Sequence, residues 1–389
     1  MSTVFRDSNL RVVFGVTLMA VLGVASITPA FPTIIEEFGL KPPEVAILIT
    51  AFTLPAIFLT PVVGILADRL GRKAILVPSL LLFALAGGAI TLVRDFDYIV
   101  ALRIVQGIGS AALGTMNVTL IGDLFDPRER PAAMGYNASV LSLGVASYPV
   151  IGGLLAGVAW YAPFYLPLAA IVVALLVWFR LELPPLSKMH GAGQYFRNAW
   201  TNINQAAVWR LFIINVLMFV ILYGALLSYF PILMRERFNA PEWLIGVYLS
   251  VFSISTAVAS SQMKRLSAVA SERALLCIGL LAYTLGQVAI GQIQRQWLML
   301  LPLIIFGAGH GVLFPVIQTL LVGMAPMGER AVFMSVNSMV LRIGQTIGPV
   351  LMGGMFVFGG LQAVYWSGAA VAVVMLGIWM IPRMSTGAK

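Results

Sequence analysis

GILADRLGRK, Gly64 to Lys73, lies between two apolar runs, 45–66 and 74–93, each near the roughly 20 residues that cross a bilayer as a helix. It is read as a short charged turn joining two membrane spans. Asp68 sits among three cations, Arg69, Arg72 and Lys73, while Gly64 and Gly71 allow a neighbouring backbone to come close. Lysine and arginine in such a turn favour the cytoplasmic side. That accounts for the cations and leaves Asp68 and the two glycines to be explained.

The composition is that of a membrane chain. Of 389 residues, 60% are hydrophobic and 10% are charged, against about a quarter charged in an ordinary globular domain; mean hydropathy is +0.96. Cys277 is the single cysteine, which excludes an intramolecular disulfide and a thiolate metal cage. The net charge of +9 is carried by short segments beside apolar runs, a pattern of membrane orientation and not of nucleic-acid binding. The first apolar run is read as a retained helix, not a cleaved signal.

Twelve runs are long enough to span: 12–35, 44–66, 74–93, 98–121, 132–158, 161–181, 208–234, 242–263, 273–292, 297–325, 331–357 and 361–382. The one long connection, 182–207, holds Pro184, Pro185, Gly191 and Gly193. It separates an N-terminal half, 1–181, from a C-terminal half, 208–389, and an amphipathic surface helix is expected around Tyr195 to Trp209. With the N-terminus inside, seventeen of the 24 Lys and Arg fall in inner segments. Lys41, Arg94, Arg235, Arg237 and Arg295 fall outside, and Arg103 and Arg342 lie within spans. Both chain ends are therefore expected in the cytoplasm, with the protein multi-pass in the inner cell membrane.

The halves are a repeat. A shift of 200 residues lays Glu129-Arg130 on Glu329-Arg330, Asn137 on Asn337, Gly144 on Gly344, Pro149-Val150 on Pro349-Val350 and Gly153 on Gly353 without a gap. Parallel six-helix repeats place a substrate site at their interface near mid-membrane. The order Gly-x-x-x-Asp-Arg-x-Gly-Arg-Lys between the second and third spans closely resembles the signature loop of the major facilitator superfamily, and the rest resembles its twelve-helix drug:proton antiporter branch. The resemblance covers the whole chain.

That resemblance implies an all-α integral membrane fold of twelve helices in two six-helix pseudo-repeats. It implies that Asp68 sits at the N-terminus of the eleventh helix, near Glu329 to Phe333, where the helix dipole favours an anion. Arg72 would pair with Asp123 at the inner end of the fourth helix. Such contacts latch the cytoplasmic side shut when a carrier of this family faces outward. The matching place in the second half, KRLSAVASER from Lys264 to Arg273, lacks the aspartate and both glycines. Leu102-Arg103 through Gln106-Gly107-Ile108-Gly109 is similar to the family's second motif. In the fifth helix, Gly144, Pro149, Gly152 and Gly153 resemble its antiporter motif, with Tyr148 where a glycine belongs. In the eleventh, Gly344, Gly348 and Pro349 keep the order and Met352 breaks it. Small residues here also serve close helix packing.

Charge at depth is the most informative feature. None of the fifteen carboxylates falls near the middle of a span, whereas Arg103, His310 and Arg342 do. Ionisable groups inside spans face a partner or a cavity, so two arginines and a histidine predict a cavity suited to a carboxylate or phosphate. Arg342, with Ser142 as its repeat mate, is expected to hold an anionic group together with Arg103 across the halves, and His310 is expected to carry a proton; the alternatives are a structural role for Arg103 and, for His310, a satisfied polar residue between helices. Asn117, Asn137, Asn215, Gln318, Asn337 and Gln345 complete the candidate pathway, although Asn137 and Asn337, as repeat mates, equally suit helix packing. Phe31, Tyr223, Tyr229 and Phe314 are candidate walls.

The reading is a proton-coupled efflux carrier for a small amphipathic or anionic organic compound, acting by alternating access, with uptake or exchange of an organic anion as the alternative. A membrane enzyme is disfavoured because the sequence has no His-Glu-x-x-His, paired deep carboxylates or nucleophile elbow. The expected partners are the substrate, protons and the lipid bilayer. No cofactor, metal or nucleic acid is called for, and the chain is expected to be a monomer.

Overall fold

The computed structural model describes residues 7–126, 128–183, 204–325 and 330–380. Most of the expected surface helix around Tyr195 to Trp209 lies outside them, as does Glu329. Ten membrane-length helices run in order: α1 Ser8–Phe38, α2 Pro42–Leu70, α3 Arg72–Leu92, α4 Phe96–Leu124, α5 Arg130–Ala156, α6 Ala162–Arg180, α7 Ala206–Phe238, α8 Glu242–Ser261, α9 Glu272–Gln292 and α10 Gln296–Met324. A last long helix, Arg330–Met380, is broken at Gly359 and Gly360, the latter at φ 64°, where only glycine is comfortable. Its parts are α11 (330–358) and α12 (361–380). The described chain thus crosses twelve times, the number expected.

Side chains fix the helix ends. Asp7 accepts from the N–H groups of Asn9 and Leu10 at 2.8 and 3.1 Å, and Asp95 accepts from Asp97 at 2.9 Å, satisfying donors that a helix start leaves open. Gly39, left-handed at φ 62°, closes α1. Read as one run, α1 is in fact interrupted after Ala25 by a turn and a short tight helix, Thr28–Ala30, with Pro29 near its start. Its counterpart α7 departs in the other sense: Ile221–Tyr229 is a π-helix, with Ser228 Oγ donating to the Tyr223 carbonyl at 2.7 Å. Such wide turns cluster at functional sites.

Within the first half α4 packs on α2 and α3, α1 on α5, and α3 on α6; within the second α10 packs on α8 and α9, and α7 on α11. The halves meet chiefly through α5 with α8 and α2 with α11, and more lightly through α7 with α1 and α2 and α8 with α1. Glycines let backbones touch there. A Cβ at Gly153 would overlap the Glu242 carbonyl, one at Gly246 would overlap that of Pro149, and one at Gly152 that of Ser26. The small residues of the antiporter-like motif are thus in backbone contact with α1 and α8.

We call the face bearing Ser8 and Met380 the inner face. The hydrogen bonds, ion pair and glycine contacts found between the halves among the described residues lie at mid-membrane or towards the outer face. Thr50 Oγ1 donates to the Thr346 carbonyl at 2.9 Å, and Thr346 Oγ1 donates to Thr53 Oγ1 at 2.9 Å. Toward the inner ends, Gly64, Gly122, Gly135 and Gly323 meet nothing within 4 Å. The halves are clasped outside and parted inside. Large apolar side chains such as Phe58, Phe179 and Phe358 stand outward, 69 to 86% exposed, as a surface solvated by lipid requires.

Gly153→Val should push α5 from α8 and open the outer face. Spin labels at Val158 and Asn239, placed on a Cys277→Ser background, should show a longer mean distance by double electron–electron resonance. An unchanged distribution would refute backbone contact as the outer closure.

Candidate functional site

The charged turn forms a cluster inside the first half. Gly71 adopts φ 99°, reversing the chain so that Arg72 begins α3 beside the end of α4. Arg72 Nη1 pairs with Asp68, its Nε donates to Asp123 Oδ2 at 3.0 Å, and Lys73 Nζ donates to the Trp178 carbonyl at 3.2 Å. Arg69 is exposed. The expected seat of Asp68 near Glu329 to Phe333 falls partly outside the described residues. In this conformation Asp68 is engaged by Arg72, and Gly64 has no neighbour to approach.

Arg103 is not where the expectation put it. Its Nε donates to the Leu48 carbonyl at 3.2 Å, Nη2 to the Gly23 carbonyl at 2.8 Å and Nη1 to Gln106 Oε1 at 2.7 Å. The guanidinium lies 4.3 Å over the Phe52 ring and is fully buried. Carbonyls and an aromatic face compensate the cation, so it ties α4 to α1 and α2 and offers nothing to a substrate shared with Arg342.

The asparagines are likewise turned inward. Asn117 Nδ2 donates to Thr17 Oγ1 at 3.2 Å, and that hydroxyl donates to Asn137 Oδ1 at 2.6 Å. In the second half Asn215 Nδ2 donates to Asn337 Oδ1 at 2.7 Å, and Asn337 Nδ2 donates to Gln318 Oε1 at 2.8 Å. Each triad ties the first, fourth and fifth helices of its half. Asn117, Asn137 and Asn337 are buried, so their packing role replaces the pathway role. Phe31 and Tyr229 are also fully buried and line no cavity.

Arg342 is different. It is half-buried. Nη1 donates to Gln345 Oε1 at 3.1 Å, Nη2 stands 2.9 Å from where a Cβ on Gly114 would lie, and the Tyr223 phenol is its electrostatic neighbour. Among the described residues no carboxylate pairs with it. His310 meets the Tyr283 hydroxyl through Nδ1 at 2.5 Å. Its ring lies parallel to Phe314 with centroids 6.0 Å apart, and Phe219 and Phe252 flank it at 6.1 and 5.9 Å.

The outer clasp was not foreseen. Arg235, at the end of α7, pairs with Glu36 of α1 through Nε at 3.0 Å and with Glu242 of α8 through Nη2 at 2.5 Å, so it joins the halves. In the sequence Arg235 reads only as one of five cations in outer segments. The available signal was that Arg235 is one of few outer cations and falls near acids at both neighbouring helix ends. Tyr283, a lone tyrosine in an apolar run, gave none.

Two six-helix halves, clasped at one face and parted at the other around a mid-membrane cation, define a carrier architecture. The chain belongs to the Major Facilitator Superfamily, whose sequence profile matches residues 13–267 and 231–389. It is 26% identical over 358 residues to the bacillibactin exporter of Bacillus subtilis, covering 88% of each chain. It is 25% identical over 343 residues to the quinolone resistance protein NorA of Staphylococcus aureus, covering 86% of each. Among solved structures, an inward-facing bacterial homologue of the human lysosomal transporter Spinster superposes with a TM-score of 0.78 at 17% identity, over 98% of this chain and 96% of that one.

Arg235→Gln removes both ion pairs of the clasp. The outer face should open more often, seen as a population at longer distance between labels at Glu37 and Asn239; a single distribution identical to that of the parent would show that the ion pairs do not hold it.

Proposed function

We propose that this protein is a secondary active carrier that works by alternating access and exports a small amphipathic or anionic organic compound in exchange for protons. The observation that supports it best is Arg342: a cation in mid-membrane, half-buried at the cleft, with no carboxylate partner among the described residues. Such a group calls for a hydrated cavity or a bound anion. The direction of transport rests on the relatives, two of which are named as an exporter and a resistance protein. Tyr148 and Met352, which depart from the antiporter pattern, favour a second reading in which an organic anion is taken up or exchanged. Everted and right-side-out vesicles under opposed pH gradients separate the two. Substrate accumulation in everted vesicles alone, with the interior acidic, is the expected result; accumulation only in right-side-out vesicles would replace export by uptake.

His310 is the proton carrier in this reading, since imidazole changes charge near physiological pH. Its Nδ1 is held by Tyr283 and it lies among aromatic rings. His310→Gln should abolish the dependence of transport on pH gradient and leave substrate binding in place. A variant that still accumulates substrate on a pH gradient would send the proton elsewhere.

The halves, 1–181 and 208–389, move as units about the linker 182–207 in a monomer whose ends lie in the cytoplasm of a cell bounded by the inner membrane. Asp68 leaves Arg72 and caps α11 when the inner face closes; Gly64 then lets α11 approach. Gly71, Arg69 and Lys73 shape and charge that turn. Asp68→Asn should shift the population towards the inner-open state and cut transport strongly at normal expression. Inner-face label distances unchanged from the parent would exclude the latch.

A further inference from the structure

We infer that the cleft takes a flat aromatic monoanion, its acid group on Arg342 and its ring against a wall made by Tyr223, Phe219 and Phe314; this rests on the carrier reading given above.

Three observations meet here. The first is the free edge of Arg342. One donor, Nη1, is committed to Gln345, while Nη2 and Nε make no hydrogen bond to the protein among the described residues. Two adjacent N–H groups on one edge of a guanidinium match the two oxygens of a carboxylate. The second is the surface beside that edge. Tyr223, the electrostatic neighbour of Arg342, stacks on Phe219 with centroids 5.9 Å apart and an interplanar angle of 29°, and Phe219 meets Phe314 at 6.1 Å. Tyr223 and Phe314 are half-buried, whereas Phe219 is buried behind them. Two rings of the wall are thus partly accessible and the third is packed, and the wide turn at Ile221–Tyr229 carries Tyr223. The third is the opposite side. Gly114 of α4 has no Cβ, and one built there would meet nothing within 4 Å except Arg342 Nη2.

Charge and shape exclude the other classes. A lipophilic cation would stand beside a lone positive charge with no carboxylate to offset it. A phosphate dianion would ask for more donors than one guanidinium edge, and Arg103, fully buried and bonded within the first half, supplies none. A polyol would lay its hydroxyls on aromatic faces that cannot bond them. A planar apolar ring with one acid group meets all three features, because flat rings gain from stacked or edge-on contact.

The test is binding to the purified full-length protein in detergent, read as thermal stabilisation against four probes: 2-naphthoate, 2-naphthamide, 2-naphthylmethylammonium and cyclohexanecarboxylate. Naphthoate should bind about tenfold or more tightly than each of the others, as one charge-assisted bidentate contact or one lost ring contact allows. Arg342→Gln should erase the preference for naphthoate over naphthamide. Phe314→Leu should erase the preference over cyclohexanecarboxylate and keep the preference for the anion. Should Arg342→Gln not fold, Gly114→Ala, which sets a methyl against Nη2, should weaken naphthoate several-fold at an unchanged melting temperature. Equal binding of the ammonium or amide probe, or naphthoate binding indifferent to both Arg342→Gln and Gly114→Ala, overturns the inference. Because no gradient is involved, the outcome is separate from export. Naphthoate bound through Arg342 but never carried outward refutes the export reading alone, and pH-driven export of cations without naphthoate binding refutes this one alone.

Discussion

Arg103 delivers three of its N–H groups to Leu48 O, Gly23 O and Gln106 Oε1, and by doing so shows the constraint under which the whole chain is built. In hydrocarbon a polar group finds its partner inside the protein or costs several kcal/mol. Helices settle the backbone. Threonine and serine return their hydroxyls to carbonyls four residues back, as Thr53 and Ser26 do. Asparagines pair across helices in the two triads. Groups paired in this way are not available to cargo.

Three charged groups stand apart from these pairings. Arg342 keeps an edge of its guanidinium free, and Asp68 and Arg235 hold charge where the two halves part or meet. These three sit at the middle, the inner face and the outer face in turn. A carrier needs something at each of those levels: a place for cargo and a closure on either side that the other state releases. The outer closure is made in this conformation, by an ion pair and by backbone contact, and the inner one is undone.

Much of this was legible before any coordinates. Span number, orientation bias and repeat follow from hydropathy and from residues that do not recur by accident, such as Glu129-Arg130 and Asn137. The Arg72–Asp123 contact follows from a signature loop whose spacing is its own evidence. What stayed hidden was the identity of acceptors. The carbonyls of Leu48 and Gly23 have no signature in the sequence, since every residue has one, so a buried arginine looks the same whether it serves packing or cargo. The breaks in α1 and α7 were hidden for a like reason: Pro29 hints at the first, and no residue type announces a π-turn. Arg235 was misjudged because an outer cation reads as a topology marker until Glu36 and Glu242 are seen beside it.

The contact between α5 and α8 has a consequence of its own. Where Gly153 meets Glu242 and Gly246 meets Pro149, main chain rests on main chain. In the alternating-access reading proposed above, these two points of the bearing hold no rotamers to reset and no side-chain chemistry to match. In the same proposed reading, cargo preference resides in other residues, on α4, α7, α10 and α11. Pivot and cradle can drift apart in sequence, so that one set of gears serves many different loads, and a change of load need not be accompanied by a redesign of the motion.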